Sequence, residues 1–266
     1  MTHLDLGLST CPNDTFIFHA MLHGLVDTEG FDFTPHLHDV EELNGKAFHG
    51  EFHVTKLSLF AWMKLRHTYD ILDSGAALGY KCGPMLIGKT ANIPTPDATI
   101  AIPGEHTTAH LLLKLWNPEF KNTVITRFDN ILAGVRDGTY DAGLIIHEGR
   151  FVYEEYGCKK ILDLGDWWEE ETGSPIPLGC IAVRKDAPYY TYKGSIESIL
   201  KNSVEYAMKN RPASRDYVSH HAQELDGDVI DRHIDLYVNE FTLSLGEKGK
   251  TSITALMEMA QCKNLL

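Results

Sequence analysis

His147 is the residue whose position in the sequence points most clearly to chemistry. It directly follows the apolar segment 142–146 (AGLII), which is typical of a buried strand. The C-terminal end of such a strand lies at the edge of the sheet where α/β proteins bind ligands. A histidine has an ordinary pKa of about 6.5, so its side chain can accept a proton at neutral pH. The pattern favours a general base, and a histidine that only forms hydrogen bonds at the strand end fits it equally well.

Two loops that connect a predicted strand to a predicted helix carry clusters of polar side chains. One contains Thr107 and Thr108, followed by Ala109, and the other contains residues 13–15 (NDT) after the first strand. Backbone N–H groups at the start of a helix lack partners and attract anions, so hydroxyls beside them could bind a ligand. The same residues also suit the simpler role of helix caps.

A third polar segment, Lys56, Leu57 and Ser58, follows the strand-like residues 52–55. At a strand end the lysine could bind a carboxylate and the serine a hydroxyl, although a solvated lysine is the simpler interpretation. The sequence has no dinucleotide-binding glycine loop, no Walker motif and no nucleophile elbow. Its histidines and cysteines are not spaced like metal ligands, so we expect no metal site.

The elements that must position these residues alternate between strands and helices, which is typical of an α/β fold with mostly parallel sheets. Strands are predicted over residues 4–8, 98–102, 142–146 and 178–183. Helices are predicted from about residue 16 toward 24 and over residues 109–116. From about residue 189 the chain is predicted to be mainly helical, with helices over residues 196–209, 215–221, 229–239 and 252–261.

Proline-containing segments at residues 90–96 and 173–179 are the predicted boundaries between two lobes. The first lobe is expected to be discontinuous, with residues 1–91 plus 184–266, and the second to contain residues 92–183. A chain that crosses twice between lobes forms a hinged clam-shell. We therefore expect a small-molecule ligand in the cleft between the lobes.

Composition and charge limit the class of protein. The 266 residues include 24 Lys and Arg against 37 Asp and Glu, a net charge of −13, without a basic cluster that could bind nucleic acid. The N-terminus does not resemble a secretory signal, and no apolar segment is long enough to span a membrane. Five scattered cysteines are typical of reduced thiols, so we expect a cytoplasmic protein.

Together these segments resemble the 1,4-dihydroxy-6-naphthoate synthase family of the futalosine route to menaquinone. The resemblance extends from residue 9 to about residue 180, and the helical C-terminal region is also similar. It rests on residues 11–18 (CPNDTFIF), 55–58 (TKLS), 103–104 and 106–109 (PG, HTTA), 142–148 (AGLIIHE), 163–165 and 167–169 (DLG, WWE), 172–173 and 175–179.

This resemblance implies a type 2 periplasmic-binding-protein-like clam-shell that works as a cytosolic enzyme. The implied reaction is a carbon–carbon lyase step without a metal or organic cofactor. It converts the carboxylated compound cyclic dehypoxanthine futalosine into 1,4-dihydroxy-6-naphthoate and expels the sugar remnant. Two alternatives are a solute receptor of the same fold, against which the absence of a recognisable signal peptide counts, and the chorismate-dehydrating enzyme of the same pathway.

The resemblance also assigns roles to individual residues. His147 corresponds to the family's proton acceptor, while Lys56, Leu57, Ser58, Thr108 and Ala109 correspond to its substrate-binding segments. Thr107 is added because of its position in the loop. The sequence departs from the family at two positions, Thr10 in place of a frequent proline and Gly149 in place of a frequent serine. Helical surface in the C-terminal region is compatible with a homodimer.

Overall fold

Two mixed β-sheets covered by helices form the framework of the chain in the computed structural model, which describes residues 2–223 and 226–266. The strands are β1 Thr2–Ser9, β2 Phe31–His38, β3 Val54–Ser58, β4 Tyr69–Ile71, β5 Ala77–Gly79, β6 Met85–Gly88, β7 Ile100–Ile102, β8 Thr123–Ile125, β9 Ala142–Ile145, β10 Lys159–Asp163 and β11 Ile176–Arg184. The helices are α1 Pro12–Leu22, α2 Val40–Phe48, α3 Leu59–Leu65, α4 Thr108–Trp116, α5 Phe128–Asp137, α6 Gly149–Val152, α7 Leu164–Thr172, α8 Lys193–Lys209, α9 Arg215–His221, α10 Gly227–Tyr237, α11 Glu240–Leu243 and α12 Gly246–Cys262.

The first sheet has the strand order β2-β1-β3-β11-β4, and β5 also pairs with β11. Its strands β1, β2 and β3 are parallel, whereas β11 is antiparallel to β3, β4 and β5. The second sheet has the order β10-β6-β9-β7-β8, in which β7 is parallel to β8 and β9 while β6 is antiparallel to β9 and β10. The α/β architecture with mixed sheets is therefore confirmed, with more antiparallel pairing than the sequence predicts.

The chain crosses twice between the two sheets. Strand β6 lies in the second sheet and β11 in the first, so the crossings fall between β5 and β6 and between β10 and β11. Gly83 and Gly165 touch at these crossings, and a Cβ on Gly83 would collide with the backbone of Gly165. The sequence of an apolar strand does not indicate which sheet the strand will join. Prolines also occur in loops whether or not those loops connect lobes. The division into lobes by residue number remains a prediction.

One apolar core joins the two sheets. It contains Leu57 of β3, Phe60 of α3, Leu112 of α4, Leu144 of β9 and Trp168 of α7, all at most 2% exposed. Such a shared core fixes the sheet edges against each other. No helix within the described residues is long and apolar enough to cross a bilayer.

The helices near the predicted site begin where capping chemistry allows. Helix α1 begins at Pro12, four residues before the expected start, because proline at the first helical position gives up an N–H that has no partner there. Residues 13–15 are therefore inside the first turn of α1 and do not cap it. Helix α4 begins at Thr108, with Thr107 as its cap, as the simpler interpretation of that loop predicts.

Candidate active site

A cavity between the two sheets brings together His147, residues 56–58 and the threonine loop, and of the polar loop at residues 13–15 only Asn13 lines it. The empty space between its walls, with the open mouth included, is about 620 Å³. Its walls come from β3, β11 and α1 on one side, and from the start of α4 and the residues that follow β9 on the other. The predicted residues that line it are Lys56, Leu57, Ser58, Thr107, Thr108, Ala109 and His147.

Lys56 provides a buried positive charge at the wall of this cavity. It lies inside β3, not after a strand as the sequence suggested, and it is only 6% exposed. Its Nζ is 2.6 Å from Oδ1 of Asp14, a fully buried carboxylate that also accepts hydrogen bonds from Ser9 Oγ at 2.7 Å and Asn13 Nδ2 at 2.8 Å. A buried ammonium needs such a counterion, because removing it from water is otherwise too costly. Asp14 thus maintains the charge, and the ammonium has further N–H donors for a ligand.

Ser58 closes β3 beside Lys56 and has its hydroxyl proton available. Its Oγ accepts a hydrogen bond from Asn44 Nδ2 at 3.1 Å, and its backbone N–H donates to Asn44 Oδ1 at 2.9 Å. These two bonds fix the serine without using its O–H donor. Gly179 lies opposite Ser58 on β11, and a Cβ there would lie 3.1 Å from Cε of Lys56. Glycine at this position therefore leaves room for the lysine side chain.

The threonine loop offers backbone donors more readily than hydroxyl donors. Thr107 Oγ1 donates to the carbonyl of Gly104 at 2.9 Å and accepts from His110 N at 3.3 Å. Thr108 Oγ1 donates to the carbonyl of Leu178 in β11 at 2.6 Å, which connects the two lobes. The N–H groups of Thr108 and Ala109 belong to the first turn of α4, where a helix provides no internal partner for them. These two groups are the donors that the loop can direct at an anionic ligand.

His147 stands one residue beyond Ile146, at the C-terminal end of β9, in a left-handed backbone conformation with φ of 56°. Histidine tolerates this region better than β-branched or bulky residues do. Its ring packs edge-on against Phe128 with centroids 5.1 Å apart and lies 6.2 Å from the ring of His233. Its Nε2 is shielded from solvent and has no hydrogen-bond partner among residues 2–223 and 226–266.

The surroundings of His147 keep its imidazole neutral. Its pKa is lowered to about 4, chiefly by burial, with a smaller contribution in the same direction from the Lys56 ammonium and opposing contributions from Asp14 and Asp39. The imidazole is therefore unprotonated at neutral pH, with a lone pair available to accept a proton. Gly149 follows in the first turn of α6, where an added Cβ would make an ordinary 3.5 Å contact with Ile145. The departure from the family's serine thus leaves space that a serine would also fit.

Sequence reasoning missed several residues of the cavity wall. Asn13 lay in a loop that was singled out, but Cys82 and Tyr237 carried no signal because neither belongs to a motif. Burial raises the pKa of the Cys82 thiol to about 12, so it is a neutral thiol. Burial also raises the pKa of the Tyr237 phenol. Trp168, which belongs to one of the motifs that carry the resemblance, is a core residue whose Nε1 donates to the Pro175 carbonyl at 3.1 Å.

Solved structures with the same fold define the class of this protein. The ligand-binding component of an ABC-type import system from Staphylococcus aureus superimposes with a TM-score of 0.74 at 14% identity, over 100% of this chain and 93% of that one. The alkanesulfonate-binding protein from Xanthomonas axonopodis superimposes with a TM-score of 0.70 at 16% identity, over 100% and 94%. These likenesses concern the fold alone. They confirm the periplasmic-binding-protein-like fold, in which a cavity between lobes is the place where ligands bind.

Within this fold class, closer comparisons identify the family. Residues 4–262 match the family described as menaquinone biosynthesis, and the chain belongs to that family. A relative from Thermus thermophilus named 1,4-dihydroxy-6-naphthoate synthase is 42% identical over 100% of this chain and 96% of its own length. One from Streptomyces coelicolor with the same name is 41% identical over 99% and 94%. The crystal structure of an Archaeoglobus fulgidus protein superimposes with a TM-score of 0.94 at 36% identity, over 99% of this chain and 98% of that one.

Proposed function

We propose that this chain is a carbon–carbon lyase that converts cyclic dehypoxanthine futalosine into 1,4-dihydroxy-6-naphthoate and releases the sugar-derived fragment. The observation that carries the proposal is His147, whose buried Nε2 has no hydrogen-bond partner among the described residues and which lines the same cavity as the Lys56 ammonium. Two relatives that match over nearly their whole length and are named for this product support it.

The proposed reaction begins with removal of a substrate proton by Nε2 of His147. The electron pair left behind cleaves the carbon–carbon bond to the sugar-derived fragment, and formation of the aromatic ring makes the step favourable. The imidazolium then returns its proton to the departing fragment, so no oxidant or other co-reactant is consumed. One general base with a suitable geometry contributes about 10²- to 10⁴-fold to such a rate.

Charged and polar groups around the cavity complete the proposed machinery. The Lys56 ammonium stabilises negative charge that develops on a substrate oxygen. The free hydroxyl proton of Ser58 donates a hydrogen bond to a charged oxygen of the bound substrate. The first-turn N–H groups of Thr108 and Ala109 bind the substrate carboxylate, with Thr107 holding that turn in place. Leu57 contributes apolar contact from β3.

The cellular compartment and the binding partners of the enzyme are part of the proposed function. We place it in the cytoplasm, where its five free cysteines, four of them buried, would stay reduced. It acts on a small molecule without nucleic acid, membrane, metal or organic cofactor, and the homodimer remains a prediction that sedimentation would test.

The test of this function is to mix the purified chain with cyclic dehypoxanthine futalosine and follow the product by absorbance and mass. We expect the naphthoate and one sugar-derived fragment per substrate consumed. Chorismate, offered separately, should remain unchanged. Conversion of chorismate instead would identify the dehydrating enzyme, and tight binding of the futalosine compound without any conversion would identify a receptor.

The pKa of His147 sets the expected pH dependence. Since burial lowers this pKa from 6.5 to about 4, the imidazole stays unprotonated as the pH falls through 6 and 5. We therefore expect kcat/KM to hold nearly constant between about pH 7 and pH 5 and to fall only as the pH approaches 4. The measurement is kcat/KM as a function of pH. Because a histidine with a lowered folded-state pKa also costs stability below pH 6.5, each sample is returned to pH 7 and assayed again. A decline centred near pH 6.5 that reverses at pH 7 would contradict this account.

Replacing Ser58 tests the cavity's polar wall. Ser58→Ala removes the free hydroxyl donor, and we expect KM to rise about tenfold with a smaller effect on kcat, as for the loss of one hydrogen bond to a charged group. The matched control is Ser203→Ala, which removes a buried hydroxyl that donates to Ile17 outside the cavity. An equal rise in KM in both variants would show that Ser58 acts through general packing.

A further inference from the structure

His233 is a buried residue next to the site that no motif in the sequence singles out. It lies on α10 and is fully buried, with its ring 6.2 Å from that of His147 and the two planes 29° apart. On its other side the ring packs against Tyr237 at 4.6 Å. Nε2 of His147 has no hydrogen-bond partner among the described residues, and the rings of Phe128 and His233 lie on the imidazole at 5.1 Å and 6.2 Å between ring centroids.

The orientation of His233 is itself fixed by hydrogen bonding. The amide group of Asn13 donates from Nδ2 to the Asp14 carboxylate, which directs its oxygen Oδ1 toward Nε2 of His233 at 3.0 Å. An amide oxygen only accepts, so Nε2 of His233 carries the proton and donates it. Asp14 also binds Lys56, so a continuous set of buried contacts leads from the ammonium to the ring that packs on His147.

The charges around the two histidines favour neutral rings. Burial lowers the pKa of His233, and the nearby His147 and Lys56 lower it further. A carboxylate of Glu148 lies 3.8 Å from Nδ1 of His233. Asp14 and Asp39 act on His147 in the opposite direction and raise its pKa, but burial outweighs them.

We propose that His233 is a positioning residue: its ring, held by Asn13, sets the plane of the His147 imidazole and shields that imidazole from water. This rests on the proposed function, because it assigns His147 the role of base. A misplacement of about 1 Å in such a base is enough to lower a rate about 100-fold. His233 itself exchanges no proton with the substrate.

Two variants separate the ring from the hydrogen bond. His233→Gln keeps an N–H donor for Asn13 but removes the ring, and His233→Phe keeps a ring but removes the donor. We expect kcat to fall about 10- to 100-fold in the glutamine variant and less in the phenylalanine variant, with KM within about threefold of wild type in both. The control is His220→Gln, an exposed histidine on the neighbouring helix α9, which should leave kcat unchanged.

A second measurement needs no substrate, so its result can be interpreted even if the proposed function is wrong. In ¹⁵N-histidine-labelled protein, the His147 ring resonances are assigned by their loss in His147→Asn and then titrated. We expect the pKa of His147 to rise from about 4 toward 6.5 in His233→Gln, because water reaches the imidazole, and to stay low in His233→Phe. If wild-type protein fails to convert the substrate while these shifts occur, the proposed function is wrong and the positioning role stands.

Three results would overturn the positioning role. One is a kcat within twofold of wild type in both His233 variants. Another is an unchanged His147 pKa in the glutamine variant. The third is a loss of folding in both variants, judged by circular dichroism and Tm, which would make His233 a core residue only.

Discussion

Replacing His147 with asparagine is expected to lower kcat about 10³-fold while the protein still folds and binds its substrate. The factor is the usual contribution of a general base that transfers a substrate proton. Asparagine suits the test because it adopts the left-handed conformation that His147 occupies at φ of 56°, which alanine does less readily. The measurements are kcat from product formation, Kd by calorimetry and Tm.

The matched control for this variant is His110→Asn. His110 resembles His147 in that burial lowers its pKa to about 4, but it lies on α4 outside the cavity wall. We expect this control to change Tm and to leave kcat within about twofold of wild type. Equal losses of kcat in both variants would assign the effect to a buried histidine in general and not to a base.

The second large effect is expected from Asp14→Asn, which leaves the Lys56 ammonium buried without its counterion. Removing one partner of a buried ion pair typically lowers the free energy of unfolding by about 3–5 kcal/mol, and here the carboxylate is fully buried and the lysine 6% exposed. Activity should fall as well, because the variant protein can relieve the penalty by losing the proton, and with it the charge, of Lys56. The measurements are urea unfolding at pH 7 and kcat/KM.

Two further variants make this second prediction specific. The double variant Asp14→Asn/Lys56→Met removes both charges, so it should unfold at a higher urea concentration than Asp14→Asn alone. Glu51→Gln breaks the exposed pair with Lys46, whose atoms lie 3.0 Å apart, and should cost less than about 1 kcal/mol. If Asp14→Asn is no more destabilising than Glu51→Gln, the buried ion pair between Asp14 and Lys56 does not stabilise the fold more than an exposed pair does.

The sequence predicts those secondary-structure elements that depend on the local pattern of apolar and capping residues. Strands β1, β7, β9 and β11 and helices α8, α9 and α10 were expected close to their observed bounds, because apolar periodicity and caps are local properties. Helix α12 begins at Gly246, before its expected start at residue 252. The position of His147 at a strand end and the helix start at Thr108 followed from the same signals. His147, the threonine loop and residues 56–58 line one cavity.

What the sequence could not predict depends on pairing between distant segments. Lys56 is tolerated inside a central strand only because Asp14, 42 positions earlier, compensates its charge. His233 meets His147 although 86 positions of sequence separate them, and no spacing rule links the two. The sheet to which β6 and β11 belong is likewise decided by partner strands and not by their own residues.

The most direct test of the central claim is native mass spectrometry of a one-to-one mixture with cyclic dehypoxanthine futalosine, for wild type and His147→Asn in parallel. We expect wild-type protein to yield the naphthoate, either free or bound to the protein, within the mixing time. The variant should instead retain the intact substrate in the complex. Product formation by His147→Asn at the wild-type rate would contradict the assignment of His147 as the base.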